Sequence, residues 1–390
     1  MAAIENAVGT DGKGDCLVTV TPSGSVDITT RSPEMLEPGI RAVISETLDR
    51  IEADGVGIRV SDKGALDHVI AARVEAAVRA ALPGKSTSLV AEVDRPISER
   101  DRARRSRLYA PGNQPRLLIG IDLHGADCVL FDLEDSVPLS EKQAARILVK
   151  HTLFAVPFQD EAWVRINPLD AGGREDIAEI LIGRPNGICL PKTESADDVG
   201  SLSELLTQVE SARGIDVGTT WIMPIIETAR GVLHAEEIAC ANPRIVMLAF
   251  GAEDYTRDVG ALRSRHALLF ARSMLVAAAK AAGVQASDTI YANVEDEDGL
   301  AEECAAAREL GFDGKGAINP RQLPTIHQAF SPTETELEQA RAIVEAAREA
   351  EARGLGVVSL DGRMIDRPVL DRATRLIKYG DKLSGGDGRA

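Results

Sequence analysis

The sequence predicts an α/β protein whose main body is a closed parallel (β/α)8 barrel, a TIM barrel, with a small α+β module before it and a helical region after it. From residue 106 onward, short apolar runs that read as buried parallel strands alternate with amphipathic helical stretches. Eight such runs over about two hundred residues have the length of a TIM barrel. Apolar residues make up 44% of the chain but aromatics only 3%, so the core must be mostly Ala, Leu, Ile and Val, which suits helices packed on parallel strands. A doubly wound open sheet is the alternative, but no Gly-x-Gly-x-x-Gly opens a helix after the first strand.

In chain order, residues 17–20 and 26–29 alternate like strands around a Pro-Ser-Gly turn at 22–24, and 40–53 is an amphipathic helix. A strand at 55–60 and a helix at 66–82 complete the first module, residues 1–85. Residues 86–103 have no sustained period, with Pro and Gly near their start, and read as a linker. Arg102, Arg104, Arg105 and Arg107 form a basic cluster at its end, read either as a solvated face or as a contact for the phosphates of a nucleotide-like cofactor. The barrel, 104–330, has expected strands at 107–110, 128–132, 163–166, 187–190, 220–226, 245–250, 289–293 and 316–319. Helices are expected at 143–151, 176–182, 201–213 and 268–282. The last region, 331–390, opens with a long polar helix at 333–354 and ends on another helix.

A formal charge of −17 argues against nucleic acid or an anionic membrane as the main partner, since both require a basic face. Five cysteines stand singly without Cys-x-x-Cys spacing, which indicates neither a disulfide framework nor a zinc site. No basic segment followed by an apolar run opens the chain and no stretch approaches a spanning length, so a reducing cytoplasmic setting is expected.

Chemistry concentrates at the strand ends. The expected strand at 220–226 runs into Glu227, and the one at 245–250 runs into Glu253 and Asp254. Carboxylates at the carboxyl ends of consecutive parallel strands lie at the barrel mouth and offer the hard oxygens that Mg²⁺ takes. Each also has a simpler use, Glu227 as a helix cap and Asp254 as the partner of an arginine. Other strands end in Asp132-Leu-Glu134-Asp135, Arg165-Ile-Asn167, Lys192 and Asn319-Pro-Arg321, more charge than a core needs and what a ligand-binding mouth requires. Lys192 could form a Schiff base and make the protein a metal-free aldolase, a reading opposed by the paired carboxylates.

The stretches LYAPGNQP (108–115), FDLEDSV (131–137), VRINPLD (164–170), LPKTE (190–194), PIIETARGV (224–232), GAEDY (251–255), GFDGKGAINPRQ (311–322) and DGRMIDRPV (361–369) resemble the citrate lyase beta subunit, the HpcH/HpaI aldolase family with its malyl-CoA and citramalyl-CoA lyases. The resemblance runs from about 104 to 373. Residues 1–85 resemble the acyl carrier (gamma) subunit of citrate lyase, most specifically in Asp62-Lys-Gly-Ala-Leu-Asp67 and Ala71-Ala-Arg-Val-Glu-Ala-Ala77. That family carries a CoA-derived arm on a serine near the N-terminus, where this chain has Lys13, and no serine precedes Ser23.

The resemblance implies that Glu227 and Asp254 hold Mg²⁺ and that Arg165 binds the substrate's carboxylate and stabilises charge on the developing carbonyl oxygen. It implies that Glu134 and Asp135 border the site, and that Asp366 reaches the site of a neighbouring subunit and handles the proton on the acetyl carbon. Glu134 is expected to act in catalysis; Arg107, Asp135 and Asn319 are expected to contact substrate. Two of these have plainer uses: Arg165 could pair with Glu134 across adjacent strand ends, and Asp366 before Arg-Pro could be an N-cap. The implied activity is Mg²⁺-dependent cleavage of a 3-hydroxy-acyl thioester, such as citryl-, citramalyl- or malyl-CoA, into acetyl-CoA and a 2-oxo acid, by a homo-oligomer, a trimer or hexamer. The alternatives are a beta-like subunit acting on a carrier-bound citryl thioester, and a non-catalytic docking subunit.

Overall fold

Parallel pairing closes eight strands into a barrel in the order β10-β11-β12-β5-β6-β7-β8-β9, and a separate four-stranded sheet precedes it. This computed structural model describes residues 7–21, 24–30, 34–53, 55–85, 95–352, 358–360 and 363–386. The expected turn residues 22 and 23, linker positions 86–94, and residues 353–357, 361–362 and 387–390 lie outside the described residues.

The N-terminal module comprises β1 (Ala7–Val8), β2 (Cys16–Thr21), β3 (Val26–Thr30), α1 (Glu37–Arg50), β4 (Gly57–Asp62) and α2 (Asp67–Ala81). Its sheet order is β1-β2-β4-β3, with β3 and β4 parallel. Val18, Ile40, Ile44, Ile58, Val60, Ile70 and Val74 form its core. Helix α2 is apolar on two sides: Ile70, Val74 and Ala77 face that core, while Val69, Ala72 and Ala76 join the core of the barrel.

The barrel strands are β5 (Ser106–Pro111), β6 (Cys128–Asp132), β7 (Glu161–Arg165), β8 (Gly187–Leu190), β9 (Trp221–Ile226), β10 (Met247–Phe250), β11 (Gln285–Asp288) and β12 (Gly314–Ala317). Between them run α3 (Pro115–Leu118), α4 (Lys142–Ala155), α5 (Arg174–Ile180), α6 (Ala196–Arg213), α7 (Ala229–Leu233), α8 (Ala235–Cys240), α9 (Ala252–Val259), α10 (Arg265–Ala281) and α11 (Glu297–Leu310). Strand residues alternate, as period 2 demands. Leu130, Trp163, Cys189, Met223 and Met247 fill the interior, and Leu108, Val129, Phe131, Val164 and Ile188 pack outward against the helices.

Seven of the eight expected strands are found within two residues; the one expected at 289–293 lies earlier, as β11. Its residues, Gln-Ala-Ser-Asp, hide it from an apolar-run reading. Asp288 is tolerated there, fully buried, because Arg272 and Lys315 both pair with it at 2.9 Å.

Three of the four arginines of the basic cluster, Arg102, Arg104 and Arg105, are held in ion pairs. Arg104 is 1% exposed and holds Glu161 in a fork at 2.7 and 2.8 Å, Arg105 holds Asp127 at 2.8 Å, and Arg102 reaches Asp160 at 2.5 Å. These pairs sit at the amino ends of β5 to β7, closing the barrel opposite its mouth. The described part of the expected linker packs there too: Arg95 donates to the carbonyls of Leu153 and Gly183, and Trp221 Nε1 donates to the Ser98 carbonyl at 2.9 Å.

After the barrel come α12 (Leu323–Phe330), α13 (Glu334–Ala352), the hairpin of β13 (Val358–Leu360) and β14 (Arg363–Ile365), and α14 (Arg367–Gly386). Helices α13 and α14 pack on each other. Contacts from Glu336 to Arg308 and from Lys382 to Asp101 tie the base of this pair to the barrel. Among the described residues no helix is long and apolar enough to cross a membrane.

Candidate active site

Glu227 follows the last residue of β9 and is 2% exposed. It does not cap the next helix: Thr228 does, its hydroxyl accepting from Gly231 N at 3.0 Å. One Glu227 oxygen accepts from the backbone N–H of Lys192 at 2.7 Å, a donor aimed by the left-handed backbone of Lys192 (φ 50°). The other lies against Gly251, where an added Cβ would stand 2.4 Å from it. Burial first, then the nearby charges of Glu134 and Asp254, push the Glu227 carboxyl up to about 8.

Asp254 enters from the first turn of α9, and its neighbour along the helix, Arg257, reaches it at 2.5 Å. That arginine is largely exposed, so the pair is weak and displaceable. Among the described residues no group of three or more His, Cys, Asp or Glu could hold a metal. Glu227 and Asp254 offer hard carboxylate oxygens, the donor type that suits Mg²⁺, an ion that keeps several waters and takes one or two protein carboxylates. A buried glutamate with a raised pKa facing a second acid fits an arriving cation.

Arg165 ends β7 directly opposite Asp132, its registered partner at the end of β6. The guanidinium grips Asp132 through Nε at 2.7 Å and Nη2 at 2.8 Å, and Nη1 approaches Glu134 at 2.9 Å. Burial alone would lower the Arg165 pKa, but the Asp132 hydrogen bonds hold it well above the ordinary arginine value. Asp132 in turn stays below the usual carboxylate range: burial pushes it up, and the Arg165 bonds more than offset this. Sequence reasoning caught the Arg165–Glu134 contact and missed Asp132 as the main partner. Its signal was present, since FDLED places Asp132 on the strand and Glu134 beyond its end.

Lys192 Nζ is bonded to Glu134 and held above its ordinary pKa; burial works against this, and Glu134 outweighs it. It is a paired ammonium, unsuited as a Schiff-base amine.

These groups frame a cavity of about 420 Å³ at the barrel mouth, lined among others by Arg107, Tyr109, Asp132, Asp135, Arg165, Glu227 and Asp254. Residues 105–320, more than half of the chain, match the family described as HpcH/HpaI aldolase/citrate lyase. The chain belongs to this family. Residues 4–81 match a second family, described as malonate decarboxylase delta subunit (MdcD) and named ACP. Citrate lyase subunit beta of Haemophilus influenzae is 44% identical over 279 residues, covering 70% of this chain and 96% of the relative. The mitochondrial citramalyl-CoA lyase of Rattus norvegicus is 32% identical over 323 residues, covering 78% of this chain and 95% of the relative. A solved structure of CitE from Mycobacterium tuberculosis, in complex with magnesium, acetoacetate and coenzyme A, aligns with TM-score 0.61 at 30% identity over 73% of this chain and all of that one.

For a citrate lyase family member, the remaining expected site residues fall in three places. Arg107 and Asp135 line the cavity. Asp135 stands at its rim, 3.8 Å from both Arg165 and Lys192. Glu134 is not among its lining residues; it contacts Arg165 and Lys192 instead. Asn319 is turned away from the cavity, its side chain accepting from Arg321 N at 3.0 Å to cap the turn beginning at Pro320. Within one chain Asp366 also lies outside the cavity, and its carboxylate accepts from Val369 N at 3.2 Å at the start of α14. Sequence reasoning missed two further residues, Tyr109 on the cavity floor and Gly251, whose missing side chain makes room for Glu227. The Gly of GAEDY was the available signal for the second.

Proposed function

We infer that this chain is a Mg²⁺-dependent carbon–carbon lyase that splits a 3-hydroxy-acyl thioester into an acetyl thioester and a 2-oxo acid. The observation that carries the reading is one cavity with Glu227 and Asp254 from the ends of consecutive βα units together with Arg165 clamped by two carboxylates. Glu227 and Asp254 are the residues that would hold the ion, which when bound supplies the positive charge that acidifies the substrate hydroxyl.

In the reaction the 3-hydroxyl loses its proton, the bond between that carbon and the acetyl carbon breaks, and the electron pair stays on the acetyl carbon as a thioester enolate. The enolate then takes a proton. Arg165 spends Nε–H and one Nη2–H on Asp132, and Nη1 faces Glu134, so one N–H on each terminal nitrogen remains for a substrate oxygen. A donor pair already locked in place stabilises the alkoxide and the developing carbonyl without reorganising. Glu134 is a positioning residue in this scheme. Asp366, as the acid that protonates the enolate, has to come from another protomer, which makes the enzyme a homo-oligomer; the family resemblance favours a trimer or hexamer. The strand before α14 supports that, since Met364 of β14, two residues before Asp366, is 64% exposed.

The preferred substrates are citryl-CoA and citramalyl-CoA, with the thioester on free CoA in the cytoplasm. Lys13 stands at the position the carrier resemblance gives to the arm-bearing serine, and an amine cannot form the phosphodiester. Cleavage of citryl-, citramalyl- and malyl-CoA by the purified chain with Mg²⁺, with Glu227→Ala as control, tests the reading. Turnover of one substrate that vanishes in the variant is expected; Mg²⁺-dependent activity only after a separate acyl carrier is added would make the chain a beta-type subunit.

A further inference from the structure

Seven lysines and arginines are buried among the described residues: Arg73, Arg104, Arg107, Lys150, Arg244, Arg272 and Lys315. Six of them hold a carboxylate, respectively Asp15, Glu161, Glu75, Glu210, and for the last two Asp288. Arg107 holds none, although it is 1% exposed. Its Nη2 donates to the backbone carbonyl of Asp288 at 3.0 Å, its Nη1 lies 3.4 Å from the Tyr109 hydroxyl and from Met223 Sδ, and its Nε has no hydrogen-bond partner. The Asp288 carboxylate is already taken by Arg272 and Lys315, so only its carbonyl dipole reaches Arg107. The Tyr109 ring, 5.8 Å from this guanidinium and 5.6 Å from that of Arg165, adds a π-face but no charge. Burying a cation without a counter-ion is costly and marks a site where an anion arrives.

Arg107 lines the same cavity as Glu227, Asp254 and Arg165. We propose that Arg107 forms a second carboxylate subsite on the cavity floor, which selects a substrate whose 2-oxo acid half is a dicarboxylate. The proposal rests on the lyase reading above. In a 2-oxo acid the carboxylate next to the oxo group shares the Mg²⁺ and Arg165 end of the cavity with the reacting oxygen. The charge of Arg165 is already balanced by Asp132 and Glu134, so among the described residues that line the cavity a distal carboxylate finds an unbalanced cation only at Arg107. A monocarboxylic 2-oxo acid leaves that guanidinium unpaired, and the resulting preference is for a citryl over a citramalyl or malyl thioester. A missing partner for a buried polar group is a strong basis for rejecting an analogue.

Binding of oxaloacetate and of pyruvate in the presence of Mg²⁺, measured by calorimetry on the full chain, tests this without requiring turnover. The wild type should bind oxaloacetate at least about thirtyfold more tightly than pyruvate, the size expected when one partner of a buried charge pair is removed. Arg107→Met, which fills the space without charge, should lose that preference while pyruvate affinity stays within about threefold; Arg107→Lys, with the charge but not the fork, should fall between. Equal wild-type affinities for the two acids overturn the proposal even if the variants do not fold, and so does a preference that survives in Arg107→Met. If the preference tracks Arg107 while no thioester is cleaved, the lyase reading fails and the subsite stands. Cleavage with selectivity unchanged in Arg107→Met has the opposite meaning.

Discussion

Replacing Gly251 with alanine tests the metal site through a residue that never touches the metal. The new Cβ would stand 2.4 Å from Glu227 Oε2, 2.7 Å from Glu227 Cβ and 3.2 Å from Ile225 Cγ2. Ordinary contact requires the carboxylate to retreat by roughly 1 Å, in a wall packed too densely to absorb the shift. Such a retreat pulls Oε1 from the Lys192 N–H, now 2.7 Å away, and a hydrogen bond to a charged group contributes about 1.5–3 kcal/mol. Disturbing a metal ligand's support typically costs about 10- to 100-fold in metal affinity, and a 1 Å misplacement about 10²-fold in rate. Gly251→Ala should therefore raise the Mg²⁺ concentration for half-maximal activity by about tenfold or more and lower kcat. The unfolding temperature without Mg²⁺ serves as the control, since overpacking itself costs about 1–3 kcal/mol. Mg²⁺ dependence and kcat within twofold of wild type, in a folded variant, would show that Glu227 does not hold the ion.

Three further outcomes are expected. Arg165→Lys loses the fork on Asp132, and Asp132→Asn loses its charge; each should reduce kcat/KM by about 10²-fold or more, and the double variant should lose little beyond the worse single one, in steady-state assays. Glu75→Ala strips the buried partner from Lys150 and His151, each 2.7 Å away, and should destabilise the chain by about 3 kcal/mol in denaturant titrations. Acid should weaken the same contact: burial, then His151, hold His68 down to about 4, so between the ordinary value of 6.5 and 4 the unfolded chain binds more protons and stability falls as pH falls. The loss at pH 5 relative to pH 7 should be at most about 2 kcal/mol, and His68→Gln should flatten that part of the melting-temperature profile.

Where hydrophobic patterning carried the signal, the chain was legible: β6 and β8 fall at the expected residues, and the acids expected at the mouth, Glu227 and Asp254, are there. Patterning failed where charges are buried in pairs. Asp288 and Lys315 make β11 and β12 look polar, and Arg104 and Arg105 look like a solvated cluster, because each partner lies elsewhere in the chain, on another strand or, for Asp127, just before one. Pairing across the barrel is a property of closure, which no local window contains. The same holds for Asp132, whose role depends on lying level with Arg165 in the parallel register. Asp366 has the opposite problem: its local use as a cap is visible in one chain, and any catalytic use requires a second.

The N-terminal module bears on the question of free against carrier-bound thioester by physical attachment as well as by Lys13. A carrier that delivers an arm to separate sites needs a contact it can leave at low cost. Here α2 buries Val69, Ala72 and Ala76 in the barrel core and sets Glu75, fully buried, against Lys150 and His151 of α4. Burial pushes the Glu75 carboxyl up, yet the His151 hydrogen bond and the Lys150 charge hold it below the usual range, so it stays ionised inside the interface. Glu179 of α5 joins from the barrel side, 2.5 Å from Lys150 and 2.8 Å from Arg79 of α2. Undocking would expose the apolar face and strand several buried charges at once, so the module is built to stay. Lys13 and this fixed interface both favour the proposed reading of a free CoA thioester over a carrier-bound one.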